Sequence, residues 1–452
     1  MKTLSNAILA DYEIEARRPT QTRGVQFGLD GVLLGFVDRL LDEAGIGVAA
    51  VGCGEGLTER LKAQDGLYTL FVRGERGEER VDREIVTQCI TEALDPDADD
   101  ERLMALARDE GIAFLLTGID PIGEYPARET LRFALIARFL AERWRAGLSP
   151  CALIVVGESE TLEEEARARL NRWARAWDES GAFGRWLQDM PALPSLADCL
   201  ASRADAKEAA RLCERMNYQD AMIHIAEPFG RWTIEGTPFG GLNAEWTDDL
   251  SAALLRKRRI FDLGLFIMGS IGPLRGDATL KDCMRDEPLR ELMGKALTDE
   301  TLPWSPFSRE EIIPYVIEGY ARYENPMNEN RLSECAGGLI HRANRSLLPA
   351  IDAYVRQSSV PPKRLTAALS AMLLLLSDTR VRQDGEAHTI VEGEEYPVRE
   401  SPENVEALSS LSSDMDAESL TYAVLSDRTL WEGRDLREVD GLSELVEENL
   451  RY

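Results

Sequence analysis

The sequence predicts an N-terminal α/β domain built on a parallel sheet, followed by a mainly α-helical C-terminal domain. Up to about residue 246, short apolar segments alternate with amphipathic segments of helical periodicity. This alternation is typical of a parallel sheet with helices on both faces. A turn-rich stretch at residues 237–243 ends the pattern, and long helical segments follow it. We therefore expect one domain over residues 1–246 and a second over residues 247–452.

Apolar runs and helical periodicity predict the individual elements of the first domain. Strands are expected at residues 24–28, 48–51, 67–73, 112–117 and 151–156. Helices are expected over residues 32–41, 128–146 and 161–178, the second with Leu131, Leu135, Phe139 and Trp144 near one face. Residues 221–225 and 231–235 are expected to form a pair of strands.

Longer periodic segments predict the second domain. Helices are expected over residues 278–297, 308–323, 328–345, 363–377 and 417–427. The polar segment 382–398 interrupts this pattern and is interpreted as a hairpin or loop. The longest apolar run, residues 367–376, is about half the length needed to span a bilayer.

The charge balance restricts the classes of partner. Eighty acidic and 52 basic residues give a formal net charge of −28. Such a surface repels phosphate backbones and anionic lipids, so we expect no nucleic-acid partner and no membrane partner. A small anionic ligand would need a local basic pocket for the same reason. The acidic excess is spread along the chain, which favours a role in solubility over a role in recognition.

Histidine and cysteine usage argues against a metal site and against disulfides. The three histidines and seven cysteines lie in unrelated segments without metal-ligand spacing. Thiols in this pattern are typical of a reduced cytoplasm. The first residues lack the apolar core of a signal peptide, so we expect a cytoplasmic location.

One segment carries a recognisable pattern of chemistry, residues 255–265 with the sequence LRKRRIFDLGL. It resembles the Lys-x4-Asn-x2-His signature of the long-chain mannitol dehydrogenase family, with Lys257 in place, Asp262 at the Asn position and Leu265 at the His position. Other short segments, in matching order over nearly the whole chain, resemble the tagaturonate reductase branch of that family. They are residues 25–31, 64–69, 232–236, 248–249, 325–326, 395–398 and 441–442.

The resemblance implies a Rossmann-like N-terminal domain that binds NAD, a helical C-terminal domain, and catalysis in the cleft between them. It also implies an oxidoreductase acting on a sugar acid or polyol. In that reaction a hydride moves between a secondary alcohol and nicotinamide while a lysine handles the proton. Because the signature is incomplete, a second hypothesis stays open. The chain would then be a catalytically inactive homologue, retained as a ligand-binding or protein-interaction module.

The turn after the first strand is where the resemblance places the pyrophosphate of the cofactor. Gly28 is present, Asp30 takes the position of the second glycine, and Gly31 follows. A carboxylate there opposes two phosphates, so the turn is either reshaped around Gly31 or has lost its cofactor. Glu55 follows the second strand and can accept a hydrogen bond from a ribose hydroxyl, which favours NAD over NADP. The glycine-rich loop around it can equally be only a turn.

The catalytic residues that the resemblance implies are Lys257 and Asp262. Asp262 places a negative charge where an oxygen becomes negative during the reaction, and it is expected to pair with Lys257 and stabilise its charged form. Leu265 cannot donate a hydrogen bond. The family's other asparagine is expected after Val156, where residues 157–163 contain none. Alternatively, the basic residues 256–259 are a solvated helix start.

Three basic residues are candidates for binding the substrate. His341, Arg342 and Arg345 lie where the family carries basic substrate-binding residues. Guanidinium groups bind carboxylates in a bidentate manner, so these residues can recognise a sugar acid. Alternatively, they are surface residues of an acidic protein.

Overall fold

The structure is a computed structural model that describes every residue except Glu78, Ala336, Asp384, Glu392, Ser413 and Tyr452. The chain forms two compact units. The first comprises Met1–Pro121 and Tyr125–Leu254, and the second comprises Ile122–Glu124 and Leu255–Tyr452.

The first unit is organised around an eight-stranded sheet. Its strands are β1 (Thr22–Phe27), β2 (Gly47–Val51), β3 (Ile90–Leu94), β4 (Phe114–Gly118), β5 (Ala152–Val156), β6 (Ala192–Asp198), β7 (Arg231–Glu235) and β8 (Glu245–Thr247). Their order is β3-β2-β1-β4-β5-β6-β7-β8, and the first six are parallel. In such a doubly wound sheet the order reverses between β1 and β4, and ligands bind beyond the carboxyl ends of those strands. The prediction of a parallel sheet is confirmed.

Helices cover both faces of this sheet. They are Leu33–Val37, which is π-helical and continues as Asp38–Glu43, and then Thr58–Ala63, Asp100–Ala107, Pro126–Arg145, Leu162–Trp177 and Ala182–Gln188. Helix Ala206–Met216 instead lies in a separate apolar cluster, together with Leu67 and Phe71. Alternate residues of β2 enter two different apolar clusters, Ala49 and Val51 in one, Val48 and Ala50 in the other. Because both faces are buried, the strand is apolar throughout and shows no polar alternation.

One predicted strand pairing is wrong. His224–Ala226 belongs to a separate four-stranded sheet, where it pairs with Ala201–Arg203 and with Tyr68–Arg76, which in turn pairs with Glu79–Thr87. Strand β7 pairs instead with β6 and β8. Apolar alternation indicates that a segment is a strand, but it does not specify the partner strand.

The predicted apolar face of helix Pro126–Arg145 also needs a correction. Leu131 is 41% exposed, whereas its neighbour Arg132 is only 5% exposed and lies on the same side as Leu135 and Phe139. Leu135 and Phe139 follow Arg132 at the three- and seven-residue spacings of one helix face. The buried face of this helix therefore contains an arginine.

The second unit is mainly helical, as predicted. Its helices include Leu263–Ile271, Leu280–Arg285, Glu287–Lys295, Arg309–Tyr323, Leu332–Cys335, Leu339–Arg342, Leu348–Ser358, Lys363–Leu376, Pro402–Ser409, Ala417–Ser426 and Leu442–Leu450, with π-helical segments at Arg258–Asp262, Ala296–Thr301 and Ala343–Leu347. The predicted hairpin is confirmed as part of a three-stranded antiparallel sheet, Arg380–Val381, Ala387–Val391 and Glu394–Pro397. Among the described residues, no helix is both long enough and apolar enough to cross a bilayer.

Buried Arg143 is expected to stabilise the first unit. Its guanidinium donates to the carbonyl oxygens of Ser149 and Asp109, both at 2.8 Å, and the residue is 5% exposed. Replacing it by leucine removes these two hydrogen bonds from a charged group, so Arg143→Leu should lower the free energy of unfolding by about 2–3 kcal/mol. The comparison is urea unfolding against Arg172→Leu, an exposed arginine of helix Leu162–Trp177. Equal midpoints for the two variants would contradict the assignment.

Candidate functional site

The turn after β1 requires a glycine at residue 28. Gly28 has φ = +102°, and its N–H donates to the Val51 carbonyl at 3.0 Å, which joins the ends of β1 and β2. A Cβ on Gly28 would lie 2.7 Å from the Cζ atom of Arg132. At Gly31 the surroundings are open, since a Cβ would meet only the Ala201 carbonyl oxygen at 3.7 Å. Conformation and space therefore both demand glycine at residue 28, and neither demands it at residue 31.

Arg132 reaches this turn from the buried face of helix Pro126–Arg145. Its guanidinium forms a bidentate pair with Asp30, with Nη2–Oδ1 and Nη1–Oδ2 distances of 2.9 Å each. Nη1 also donates to the carbonyl of Gly118 at 2.7 Å, at the end of β4. Nη2 lies 3.3 Å from Oε1 of Glu55. One side chain thus ties together the loops that follow β1, β2 and β4, with the geometry of a strong charge-assisted contact.

Glu55 accepts hydrogen bonds from the backbone of two of these loops. The N–H of Leu29 donates to Oε1 at 3.2 Å, and the N–H of Cys53 donates to Oε2 at 2.6 Å. In a dinucleotide-binding fold, backbone donors of the turn after the first strand, where Leu29 lies, face the pyrophosphate. In this chain they are satisfied by the chain's own carboxylate. We call Asp30, Glu55 and Arg132 the turn cluster.

Burial, and the presence of two carboxylates for one guanidinium, determine the pKa values and the charge of the turn cluster. Burial raises the pKa of Asp30 above its usual range, although Arg132 beside it opposes the shift. Burial by itself would lower the pKa of the Arg132 guanidinium. The nearby anionic groups, Asp30 first among them, together outweigh burial, so the pKa of Arg132 is raised. Burial, with Glu55 adding to it, raises the pKa of the Cys53 thiol to about 12, so this thiol is not a nucleophile at neutral pH. Two carboxylates around one guanidinium leave a formal charge of −1, which does not complement a pyrophosphate.

In the second unit, Lys257 and Asp262 come together through a π-helical segment. Lys257 Nζ donates to Asp262 Oδ1 at 2.6 Å, and the two residues are 7% and 3% exposed. Residues five apart in an α-helix point about 140° away from each other. The segment Arg258–Asp262 is π-helical, and its wider turn places residues five apart on one side. The expected pairing of these residues is confirmed, and the Lys-x4-Asp spacing depends on this wider turn.

A second cation contacts Asp262 from the helix that begins at Leu339. Arg342 Nη1 donates to Asp262 Oδ1 at 3.2 Å, and Arg342 Nε donates to the Gly337 carbonyl at 3.0 Å. Asp262 thus lies between an ammonium and a guanidinium. Both cations compensate the negative charge of Asp262. We call Lys257, Asp262 and Arg342 the lysine cluster.

Other residues singled out in the sequence are placed differently. Arg345 is directed towards Glu432, with an Nη2–Oε1 distance of 3.8 Å, and about a third of its side chain is exposed. His341 is half-buried on the same helix, and Leu265 is 1% exposed in the core. Because Lys257 and Arg258 are each 7% exposed, the interpretation of residues 256–259 as a solvated helix start is wrong.

Two charged residues near these clusters were missed in the sequence. Arg132 was detectable, because it occupies an apolar helix position ahead of Leu135 and Phe139. Glu400 lies in a loop with no such signal. It is 4% exposed and accepts from the N–H of Ile340 at 2.8 Å, and burial raises the pKa of its carboxyl to about 7.

Among the described residues, no group of three His, Cys, Asp or Glu side chains could hold a metal ion.

The two glycines of the turn provide a matched test of its geometry. Gly28→Ala combines a strained φ with a close approach to Arg132, which is held by three partners, so we expect a loss of about 1–3 kcal/mol in the free energy of unfolding. Gly31→Ala should change it by less than about 1 kcal/mol, since Ala is favoured over Gly in a helix. Urea unfolding followed by circular dichroism measures both. A Gly28→Ala variant as stable as Gly31→Ala would show that the turn differs from this geometry.

Comparison with known proteins relates the chain to a group of sugar dehydrogenases. It is 25% identical to the altronate oxidoreductase of Bacillus subtilis (strain 168) over 454 residues, covering 93% of this chain and 90% of the relative. It is 28% identical to the altronate oxidoreductase of Klebsiella pneumoniae (strain 342) over 472 residues, covering 95% of this chain and 93% of the relative. No protein-family model matches the chain.

Solved structures share its fold. A Pseudomonas fluorescens mannitol 2-dehydrogenase, described as a ternary complex with NAD and D-mannitol, has a TM-score of 0.81 at 16% identity and covers 100% of this chain and 96% of that chain. A D-sorbitol dehydrogenase in substrate-free form has a TM-score of 0.71 at 17% identity, with the same coverage. The chain thus resembles altronate oxidoreductases over more than nine-tenths of its length, and it shares the fold of the mannitol 2-dehydrogenase and the D-sorbitol dehydrogenase.

Proposed function

We propose that the chain is an NAD-dependent oxidoreductase that interconverts a secondary alcohol and a ketone of a sugar acid or polyol, with a divergent active site. The observation that carries this proposal is the buried lysine cluster. Lys257 stands at the position of the family's catalytic lysine, in contact with an acid five residues later. The relatives named altronate oxidoreductase support a sugar acid as substrate. The mannitol 2-dehydrogenase complex, which contains NAD and D-mannitol, supports the cofactor and the class of reaction.

Lys257 is proposed to exchange the proton with the reacting oxygen. Asp262 at 2.6 Å stabilises the ammonium form, which is the form that donates a proton to a carbonyl oxygen. The pair therefore favours reduction of a ketone over oxidation of an alcohol. Arg342 compensates the Asp262 carboxylate, which reduces its repulsion of an oxygen that becomes negative.

Arg345 is proposed to bind the carboxylate of the substrate. Arg342 is already engaged by Asp262 and Gly337, whereas the contact of Arg345 with Glu432 is long and partly exposed. Within the part of the chain that the structure describes, Nε of Arg345 is buried and makes no hydrogen bond. A guanidinium with an unused donor can bind a carboxylate in a bidentate manner. His341 lies on the same helix and is proposed to contribute to this recognition.

The proposed cofactor is NAD, which supplies the hydride acceptor and donor in this class of reaction. Gly28, Gly31 and Glu55 border the place where a doubly wound fold binds a dinucleotide, and Asp30 adds a carboxylate to it. The turn cluster as it stands does not complement the two phosphates. The proposal therefore requires the turn cluster to rearrange when the cofactor binds.

Removing the Lys257 amine should abolish most of the turnover. Lys257→Met leaves Asp262 paired with Arg342, so the fold should survive, while proton transfer of this kind contributes on the order of 10²–10⁴ in rate. The measurement is the coupled change in NADH absorbance with altronate and its keto product. Lys295→Met serves as the control, because Lys295 is an exposed lysine outside the lysine cluster. It pairs with Glu291 of its own helix, Glu287–Lys295.

Two outcomes would contradict this assignment. Turnover by the wild type that survives in Lys257→Met would place the proton transfer elsewhere. No turnover of altronate or mannitol by the wild type, in a protein that melts cooperatively, would favour the non-catalytic ligand-binding alternative.

The two arginines should separate substrate binding from catalysis. Arg345→Met should raise KM for altronate by about tenfold or more with little change for mannitol, because only altronate carries a carboxylate. Arg342→Met should lower kcat for both substrates, since it removes a cation from Asp262 beside Lys257. Steady-state kinetics on both substrates measure the changes in KM and in kcat separately. Equal effects of Arg345→Met on altronate and mannitol would remove Arg345 from carboxylate recognition.

A further inference from the structure

The groups that could bind an anion around the β1 turn are already occupied by the chain itself, one amide lying in that turn and one in the loop after β2. The N–H groups of Leu29 and Cys53 both donate to the Glu55 carboxylate, and Arg132 is held by Asp30 and Glu55. A carboxylate with two oxygens, bound by two backbone amides and a guanidinium, reproduces the environment of a phosphate at such a turn. The chain thus places an anion of its own where the fold binds an anionic ligand.

Arg132 retains a donor that none of these contacts uses. Its Nε is buried and makes no hydrogen bond within the described residues, and it lies 2.8 Å from the position that a Cβ on Gly28 would occupy. Gly28 therefore leaves room for the guanidinium to lie directly over the turn. An arginine that is 5% exposed and has an unused donor at a glycine turn is suited to bind a further oxygen of an anion.

We propose that the turn cluster is an internal substitute for the pyrophosphate of the cofactor. In this arrangement a dinucleotide or nucleoside diphosphate binds only by displacing the Glu55 carboxylate from the two amides and from Arg132. The inference rests on the proposed function for the identity of the ligand. The occupied state itself follows from the contacts of this chain.

Glu55 is the carboxylate that leaves. Its contact with Arg132, at 3.3 Å, is longer than the two 2.9 Å contacts that Asp30 makes with the same guanidinium. Glu55 is also flanked by Gly54 and Gly56, which have φ values of +93° and +70°. Because glycine adopts many backbone conformations, these two residues allow the loop to change its conformation. Once Glu55 has left, Asp30 still pairs with Arg132, and the remaining pair is neutral.

The test is titration calorimetry of the full-length chain with ADP, NADH and adenosine. The variants are Glu55→Gln and Asp30→Asn, each of which leaves one carboxylate to pair with Arg132, so that neither unfolds through an unpaired guanidinium. We expect Glu55→Gln to bind ADP and NADH at least about tenfold more tightly than the wild type, because a carboxylate no longer competes with phosphate. Asp30→Asn should give a smaller gain. Adenosine, which has no phosphate, should show no change.

Glu163→Gln is the matched control, because Glu163 pairs with Arg167 on the surface of helix Leu162–Trp177. Melting temperatures of all variants check that the fold is intact. Wild-type affinity for NADH equal to that of Glu55→Gln would overturn the inference while leaving the proposed function in place. A failure of every folded variant to bind ADP or NADH would overturn both the inference and the assignment of NAD. An equal gain for adenosine would show that the variant only opened the loop, which also contradicts displacement.

Discussion

Compensation of buried charge is the constraint on which both candidate clusters depend. Arg132 and Lys257 are 5% and 7% exposed, and a buried ion without a partner is far less stable than one in water. Each is therefore held by a carboxylate within hydrogen-bonding distance, Asp30 in the first unit and Asp262 in the second. The same constraint explains why an acid is tolerated at these two positions. A guanidinium is present beside each of them, and without it the carboxylate would itself be the unpaired buried charge.

The backbone satisfies this constraint through departures from regular geometry. Lys257 and Asp262 would point away from each other in an α-helix, and the π-helical segment Arg258–Asp262 turns them to one side. Arg342 directly precedes another π-helical segment, Ala343–Leu347. In the first unit, Gly28 brings the charges together. Its positive φ and its lack of a Cβ leave space for the guanidinium of Arg132 beside the turn. Local backbone conformation therefore decides which charges meet.

The sequence was sufficient for the parallel sheet and the helical second unit, because apolar periodicity is a local property. The Lys257–Asp262 pair was expected from the family resemblance, since residues five apart point away from each other in a regular α-helix. It was insufficient for the partner of His224–Ala226, since strand pairing is decided by tertiary contacts. Arg342 was noted for its type, but its contact with Asp262 joins residues 80 positions apart, which no local pattern encodes. Arg132 was missed although it lies on an apolar helix face, because the periodicity was followed through Leu131 instead.

The two clusters differ in the ratio of cations to carboxylates, and this difference bears on the order of events in the proposed reaction. Long-range repulsion from a chain of net charge −28 is largely screened beyond about 8 Å at physiological ionic strength, so an anionic ligand is selected by the groups it touches. In the lysine cluster two cations contact one carboxylate. The turn cluster, with one cation to two carboxylates, opposes phosphate until Glu55 leaves. Under the proposed function, binding of the cofactor would therefore be the step that depends on a change within the protein.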